Sequence, residues 1–332
     1  MTRRLLIPLA AVAVAATAAL GLGLSARSDQ ATPSARLILD WFPNADHAGV
    51  YAALSHDSFE KAGIQIKPVV PIDPTASIKQ VATGKAQFAV TYPLDLLLAR
   101  GQGVPVVAVG ALVTHPLNAV IARTDRGIAR PRDLVGKTVG AAGAPSDRPL
   151  LDAVVRADGG DPSKVKVRNV GFDLAPALAA GKVDAVIGAY WNVEAIELKA
   201  LHVPIRSFRL EKNGVPDYDE LVVITSQSFA KDHPGWVTAF LTALGQGQRL
   251  AATDQPLAVD ALLKANKDLK RSLLPKEVAA VAPLLDPPGG RPLALSLAKW
   301  QRFATWARAK GLLTKPVSVK AAIRTDLMPA AS

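Results

Sequence analysis

Apolar and polar positions alternate from Arg36 to Asp40, the pattern of a strand with one face toward a core, and Pro43 stops it. From Ala48 to Ala62 the apolar positions recur at helical spacing, and Gly63 supplies the permissive residue that closes a helix. The alternation of types then continues. Residues 64–70 read as a strand, 76–83 as a helix ended by Gly84, 86–90 as a strand and 94–100 as a helix. Two apolar runs, 104–112 and 117–123, read as buried strands. A turn beginning at Pro131 leads to a strand at 138–141. Ser146 is placed to cap a helix that runs to Ala157, where Gly159 and Gly160 end it. After an apolar strand at 221–225, residues 234–250, 256–266 and 293–310 carry helical periodicity.

One stretch repeats another. Residues 84–92 and 181–190 share a Gly-Lys pair, an apolar strand and a terminal tyrosine, Tyr92 and Tyr190. Two halves built to one plan would set those two rings on opposite walls of a cleft. Strands alternating with helices place the chain in the α/β class, and 332 residues suit two domains better than one.

The N-terminal stretch changes the picture of where the protein works. Arg3 and Arg4 precede an apolar run from Leu5 to Leu24, and Leu24-Ser25-Ala26 fits a small-residue cleavage site, so residues 1–26 read as an export signal, or as an N-terminal anchor if uncleaved. The expected location is periplasmic or otherwise extracytoplasmic. The chain has no cysteine, which removes disulfides, thiolate metal sites, a cysteine nucleophile and a lipidated anchor. The formal charge of +11 stays positive without the signal arginines, but the basic residues are scattered and not interleaved with aromatics. Nucleic acid is therefore not an expected partner. His47, His56, His115, His202 and His233 show no metal-ligand spacing, and no G-x-S-x-G, P-loop or H-E-x-x-H occurs. Neither an enzyme activity nor a cofactor is expected.

Residues 40–51, Asp-Trp-Phe-Pro-Asn-Ala-Asp-His-Ala-Gly-Val-Tyr, set an acid, an indole and an amide on a strand-to-helix turn, where open α/β sheets bind ligands. Trp41, Tyr92, Tyr190 and Trp191 all fall at expected strand ends, a set suited to stacking on a flat ring. Ser146 offers a hydroxyl and helix-start amides. Glu194 opens an expected helix, where an acid also favours the helix dipole. Asp40, Asn44 and His47 offer hydrogen bonds in the same pocket.

The segment 40–51, together with residues 92–100, 143–146 and 190–194, closely resembles the thiamine-pyrimidine superfamily, which holds substrate-binding proteins of ABC importers and fungal enzymes that make the thiamine pyrimidine. The resemblance spans roughly residues 36–310. It implies a bilobed periplasmic-binding-protein fold of type II, with one lobe formed by 36–117 and 223–328 and the other by 118–222. It implies a monomer that captures a small heterocycle, such as formylaminopyrimidine or hydroxymethylpyrimidine, and hands it to a membrane ABC permease. It also implies that Tyr190, Trp191, Asn192 and Glu194 read the aminopyrimidine, the Glu194 carboxylate accepting from the exocyclic amine. Alternatives on the same framework are riboflavin, a sulfonate such as taurine with Arg148 as its counter-charge, or a pyrimidine-synthesising enzyme. The fungal synthases rely on a cysteine-rich stretch that this chain lacks.

Overall fold

The structure, a computed structural model, describes residues 34–328. The expected export segment at residues 1–26 lies outside the described residues, and among the described residues no helix is long and apolar enough to cross a membrane. Among the described residues, ten strands form two five-stranded mixed sheets. The first holds β1 (Ser34–Ile38), β2 (Gln65–Val69), β3 (Phe88–Thr91), β4 (Val106–Val113) and the late strand β10 (Leu221–Ser226). The second holds β5 (Asn118–Arg123), β6 (Thr138–Ala141), β7 (Lys166–Asn169), β8 (Ala185–Tyr190) and β9 (Ile205–Arg209).

The two sheets share one plan. Their strand orders are β2-β1-β3-β10-β4 and β7-β6-β8-β5-β9, with three parallel strands on one side and two antiparallel strands on the other. The strands that end in the repeated tyrosines, β3 and β8, are central in their respective sheets. The chain passes from the first sheet to the second through 114–117 and returns through 210–220.

Helices cover both faces of the first sheet, which explains its continuous apolar runs. Leu37, Leu39, Phe88 and Val90 enter one core with Phe59 and Phe240, whereas Ile38 and Ala89 enter another with Leu96, Leu97 and Phe303. The expected helix 48–62 is broken. It runs as Ala48–Ser55 and then Ser58–Lys61, with Asp57 in the left-handed region at φ 54°. The break swings Phe59 onto Phe240, ring centroids 5.6 Å apart, so burial of one aromatic outweighs continuation of the helix. Helix Ala48–Ser55 packs so closely on helix Pro234–Thr253 that a Cβ at Gly247 would collide with the Gly49 carbonyl and with Ala53.

Strands β7 and β9 and helix Leu274–Leu285 went unread in the sequence. Both strands are sheet edges. Lys166–Asn169 is exposed at every position and Ile205–Arg209 carries two arginines, so neither shows the apolar pattern that marks a buried strand. The helix 274–285 has Pro275 in its first turn and Pro283 inside, which masks its periodicity.

Candidate functional site

Trp41 sits where the two sheets face each other. It leaves the carboxyl end of β1 on a turn, and its ring meets Phe172, from the loop after β7, edge to face at 4.4 Å and 72°. Phe42 meets the same ring at 5.3 Å. Trp41 lines two cavities.

The first is narrow, with a volume of about 20 Å³, room for a water or two. Tyr92, Asn118, Ser146, Asp147, Tyr190, Tyr218 and Glu220 line it with Trp41. The second, about 210 Å³, lies below the roughly 300 to 1,000 Å³ of pockets for drug-sized ligands and suits a single small ring. Its walls include Trp41, Asn44, Phe172, Glu194, Glu197, Asn266 and Asp268. None of the residues lining either cavity is lysine, arginine or histidine. A larger cavity of about 590 Å³ lies against helices Ala76–Ala82 and Pro93–Gly101, has no aromatic wall and contains none of the expected site residues.

The turn that carries Trp41 is braced from beneath. His47, fully buried, binds Asp40 Oδ1 through Nε2 at 2.9 Å, and its Nδ1 accepts from the Asn44 backbone N–H at 3.4 Å. A backbone N–H can only donate, so Nδ1 is the bare nitrogen and Nε2 carries the proton that Asp40 receives. The second oxygen of Asp40 accepts from the Tyr92 hydroxyl at 3.1 Å. The Asn44 side chain accepts from the Asp46 N–H at 2.9 Å, opening the short helical turn Ala45–His47. Asp40 and His47 thus hold Trp41 and Tyr92 in place while lining neither cavity.

Two of the four residues expected at 190–194 turn elsewhere. The Trp191 indole donates to the Pro116 carbonyl at 3.0 Å and lies under the Arg209 guanidinium at 3.9 Å. Asn192 is fully buried and donates to Asp46 at 2.7 Å. Tyr190 and Glu194 do face cavities, one each, and the Tyr190 N–H donates to Glu194 Oε2 at 2.7 Å. Burial lifts the Glu194 carboxyl to about 7, with backbone hydrogen bonds from Tyr190 and its own N–H working the other way.

Ser146 makes no side-chain cap to helix Asp147–Ala157. The next residue fixes the loop ahead of the helix instead. Asp147 Oδ2 accepts from the N–H groups of Gly143 and Ala144, each at 2.9 Å. Burial raises Asp147 to about 6 against those hydrogen bonds. Glu220, raised to about 7 by burial, accepts on one oxygen from the N–H groups of Leu117 and Asn118 and from the Tyr218 hydroxyl. That carboxylate therefore ties together both chain passages between the sheets. Arg148, the counter-charge considered for a sulfonate, binds Asp152 at 2.6 Å and the carbonyls of Pro162 and Val165, and lines neither cavity.

Phe172, Asp147 and Glu220 were not singled out from the sequence, and Glu197, which fits a solvated helical face by its spacing, lines the second cavity instead. Asp147 sits between the two residues that were, Ser146 and Arg148. A helix-start carboxylate four residues after a glycine was its available signal. Glu220 lies in an irregular link and had none.

The NMT1/THI5-like family profile matches residues 44–258. A formylaminopyrimidine-binding protein of Halalkalibacterium halodurans is 33% identical over 297 residues, covering 88% of this chain and 90% of that protein. A 4-amino-5-hydroxymethyl-2-methylpyrimidine phosphate synthase of Uromyces fabae is 26% identical, covering 65% and 66%. Among solved structures, the alkanesulfonate-binding protein of Xanthomonas axonopodis pv. citri, bound to MOPS, superposes with a TM-score of 0.69 at 19% identity, covering 88% of this chain and 98% of that one. The two-sheet architecture is thus the bilobed periplasmic-binding-protein fold.

Proposed function

The chain belongs to the NMT1/THI5-like family, and from that premise we propose that it is an exported solute-binding protein that captures a thiamine-related aminopyrimidine for an ABC permease. The observation that carries this reading is the charge of the walls. Both cavities at Trp41 present carboxylates, Asp147 and Glu220 in one and Glu194, Glu197 and Asp268 in the other, without a basic side chain among the lining residues. Such walls repel a sulfonate and attract N–H donors.

An aminopyrimidine offers a donor, its exocyclic amine, beside a ring nitrogen that accepts or, once protonated, donates. Glu194, poised near 7, matches both forms: as a carboxylate it accepts, and as an acid it also donates. Trp41 and Phe172 supply flat apolar area for the ring. Strand membership supports a lobe over 118–222 nested within one formed by 36–117 and 223–328, save that Leu221 and Val222 already belong to β10 of the first sheet. Closure of the lobes over the ring is a population shift driven by tighter binding to one state, and the closed form is what a permease would recognise. The protein works as a monomer without a cofactor and does no chemistry, a reading that the absence of any cysteine supports against the synthases.

Mass spectrometry of ligand retained through native purification, followed by calorimetric titration with the identified compound, tests the proposal. An aminopyrimidine is the expected result. A sulfonate or a flavin in its place would overturn it.

A further inference from the structure

Backbone N–H groups just before a helix, with the positive end of the helix behind them, make a ready cradle for an oxyanion. Gly143 and Ala144 form such a cradle ahead of the eleven-residue helix Asp147–Ala157, and here it is filled from within by Asp147 Oδ2, 2.9 Å from each nitrogen. Asp147 is 5% exposed and lines the narrow cavity. Its other oxygen reaches the opposite wall, where a Cβ built on Gly188 would stand 3.2 Å from Oδ1. Gly188 takes φ 86°, so a side chain is disfavoured there and the carboxylate keeps its room.

A second observation marks the same cavity as a ligand site. Tyr190 is 7% exposed and lines it, and its hydroxyl lies near Glu220 without a hydrogen bond of ordinary geometry. Its acceptor there is the Glu220 carboxylate, held off ordinary geometry, so the hydroxyl is open to a better-placed partner. With Asp147 and Glu220 as the charged groups lining this space, that partner cannot be an anion held by a basic residue.

We propose that Asp147 sets ligand charge in this protein: its carboxylate is a resident anion that occupies the oxyanion cradle, so sulfonates, phosphates and carboxylates are refused and ligands bearing N–H donors are admitted. The inference rests on the reading of the Trp41 cleft as a solute site.

The test is calorimetric titration of the exported chain and its Asp147→Ala, Asp147→Ser and Asp147→Asn variants with taurine, with methanesulfonate and with 4-amino-5-hydroxymethyl-2-methylpyrimidine. Thermal melts accompany each variant, and the serine variant covers the case in which alanine unfolds the helix start. Emptying the cradle with alanine or serine should tighten sulfonate binding by about tenfold or more. The asparagine variant, whose side-chain oxygen still fills the cradle, should stay as blind to sulfonates as the native chain. Sulfonate binding by the native chain, equal gains in the asparagine and alanine variants, or folded alanine and serine variants that remain blind would each overturn the proposal. The pyrimidine arm separates this inference from the reading beneath it. A sulfonate gain with no pyrimidine binding by any form sinks the ligand and keeps the charge rule, whereas pyrimidine binding with blind variants sinks the charge rule alone.

Discussion

Asn192 and Asp46, 146 residues apart in the chain, meet in a fully buried hydrogen bond of 2.7 Å that joins the end of β8 in the second sheet to the Trp41 turn of the first. Each leaves one oxygen, Asp46 Oδ2 and Asn192 Oδ1, without a partner. Burial pushes the Asp46 carboxyl well above its ordinary value, with Glu194, Asp40 and Glu220 adding to the rise. A neutral acid has a proton to give. Carried on Oδ2, it would donate toward Asn192 Oδ1 and satisfy both orphans.

Asp46→Asn should therefore preserve the thermal melt near pH 7, because an amide supplies the same donor as the neutral acid. Asn192→Ala should lose about 1–3 kcal/mol, since it leaves a buried carboxyl with no donor. Chemical denaturation of both variants checks this. A large loss in Asp46→Asn would show that the pair holds a charged carboxylate.

Glu194→Gln should weaken an aminopyrimidine by roughly ten to a hundredfold, the equivalent of about 1.5 to 3 kcal/mol for a buried charged hydrogen bond, and weaken an analogue without the amine far less. Trp41→Ala should weaken both ligands alike, because stacking does not read substituents. Titration of the two variants against the two ligands separates the roles, and equal losses for Glu194→Gln would count against it as the reader.

Trp191→Phe should cost stability and spare affinity. The indole bond to the Pro116 carbonyl is worth about 1 kcal/mol, and the ring lines neither cavity. A lowered melt with unchanged ligand affinity is the expected pair of results. A tenfold loss of affinity would place Trp191 in the binding wall.

Stability should fall as pH rises from about 5 to about 8. Asp147 is held near 6, Asp95, Glu194 and Glu220 near 7, and Glu277 near 8, in each case by burial first. A carboxyl whose folded value lies above its unfolded one binds its proton more tightly in the folded state. Its contribution is therefore best below the unfolded value and is lost as pH climbs through the folded one. Melting temperatures across this window check the sign, and a steady rise toward pH 8 would contradict it.

Gly247→Ala should be among the most damaging small substitutions in the protein. The added Cβ meets the Gly49 carbonyl and the Ala53 backbone, which cannot rotate away, so a loss of about 1–3 kcal/mol is expected by denaturant titration.

The buried strands and most of the helices were legible because burial writes itself into local pattern. The strand Thr138–Ala141 stands where alternation and turn residues put it, and β3 and β8 occupy matching central places in their sheets. Edge strands β7 and β9 were illegible for the converse reason, since a strand that stays exposed needs no apolar signature.

By itself the sequence determined the α/β class, the cluster of rings and polar groups at strand ends, and the family to which the chain belongs. Those properties are local: a turn after a strand, an acid at a helix start, a motif of adjacent residues. Only the tertiary structure decided which of those residues share a cavity. Asp40 and His47 share a motif with Trp41 but lie beneath it as its support, and Trp191 turns toward Pro116 although its neighbours Tyr190 and Glu194 face the cavities. Asp147 and Glu220, 73 positions apart, line one cavity because two sheets and two passages bring them there. Side-chain direction and long-range burial follow from packing across the whole fold, and no local pattern records them.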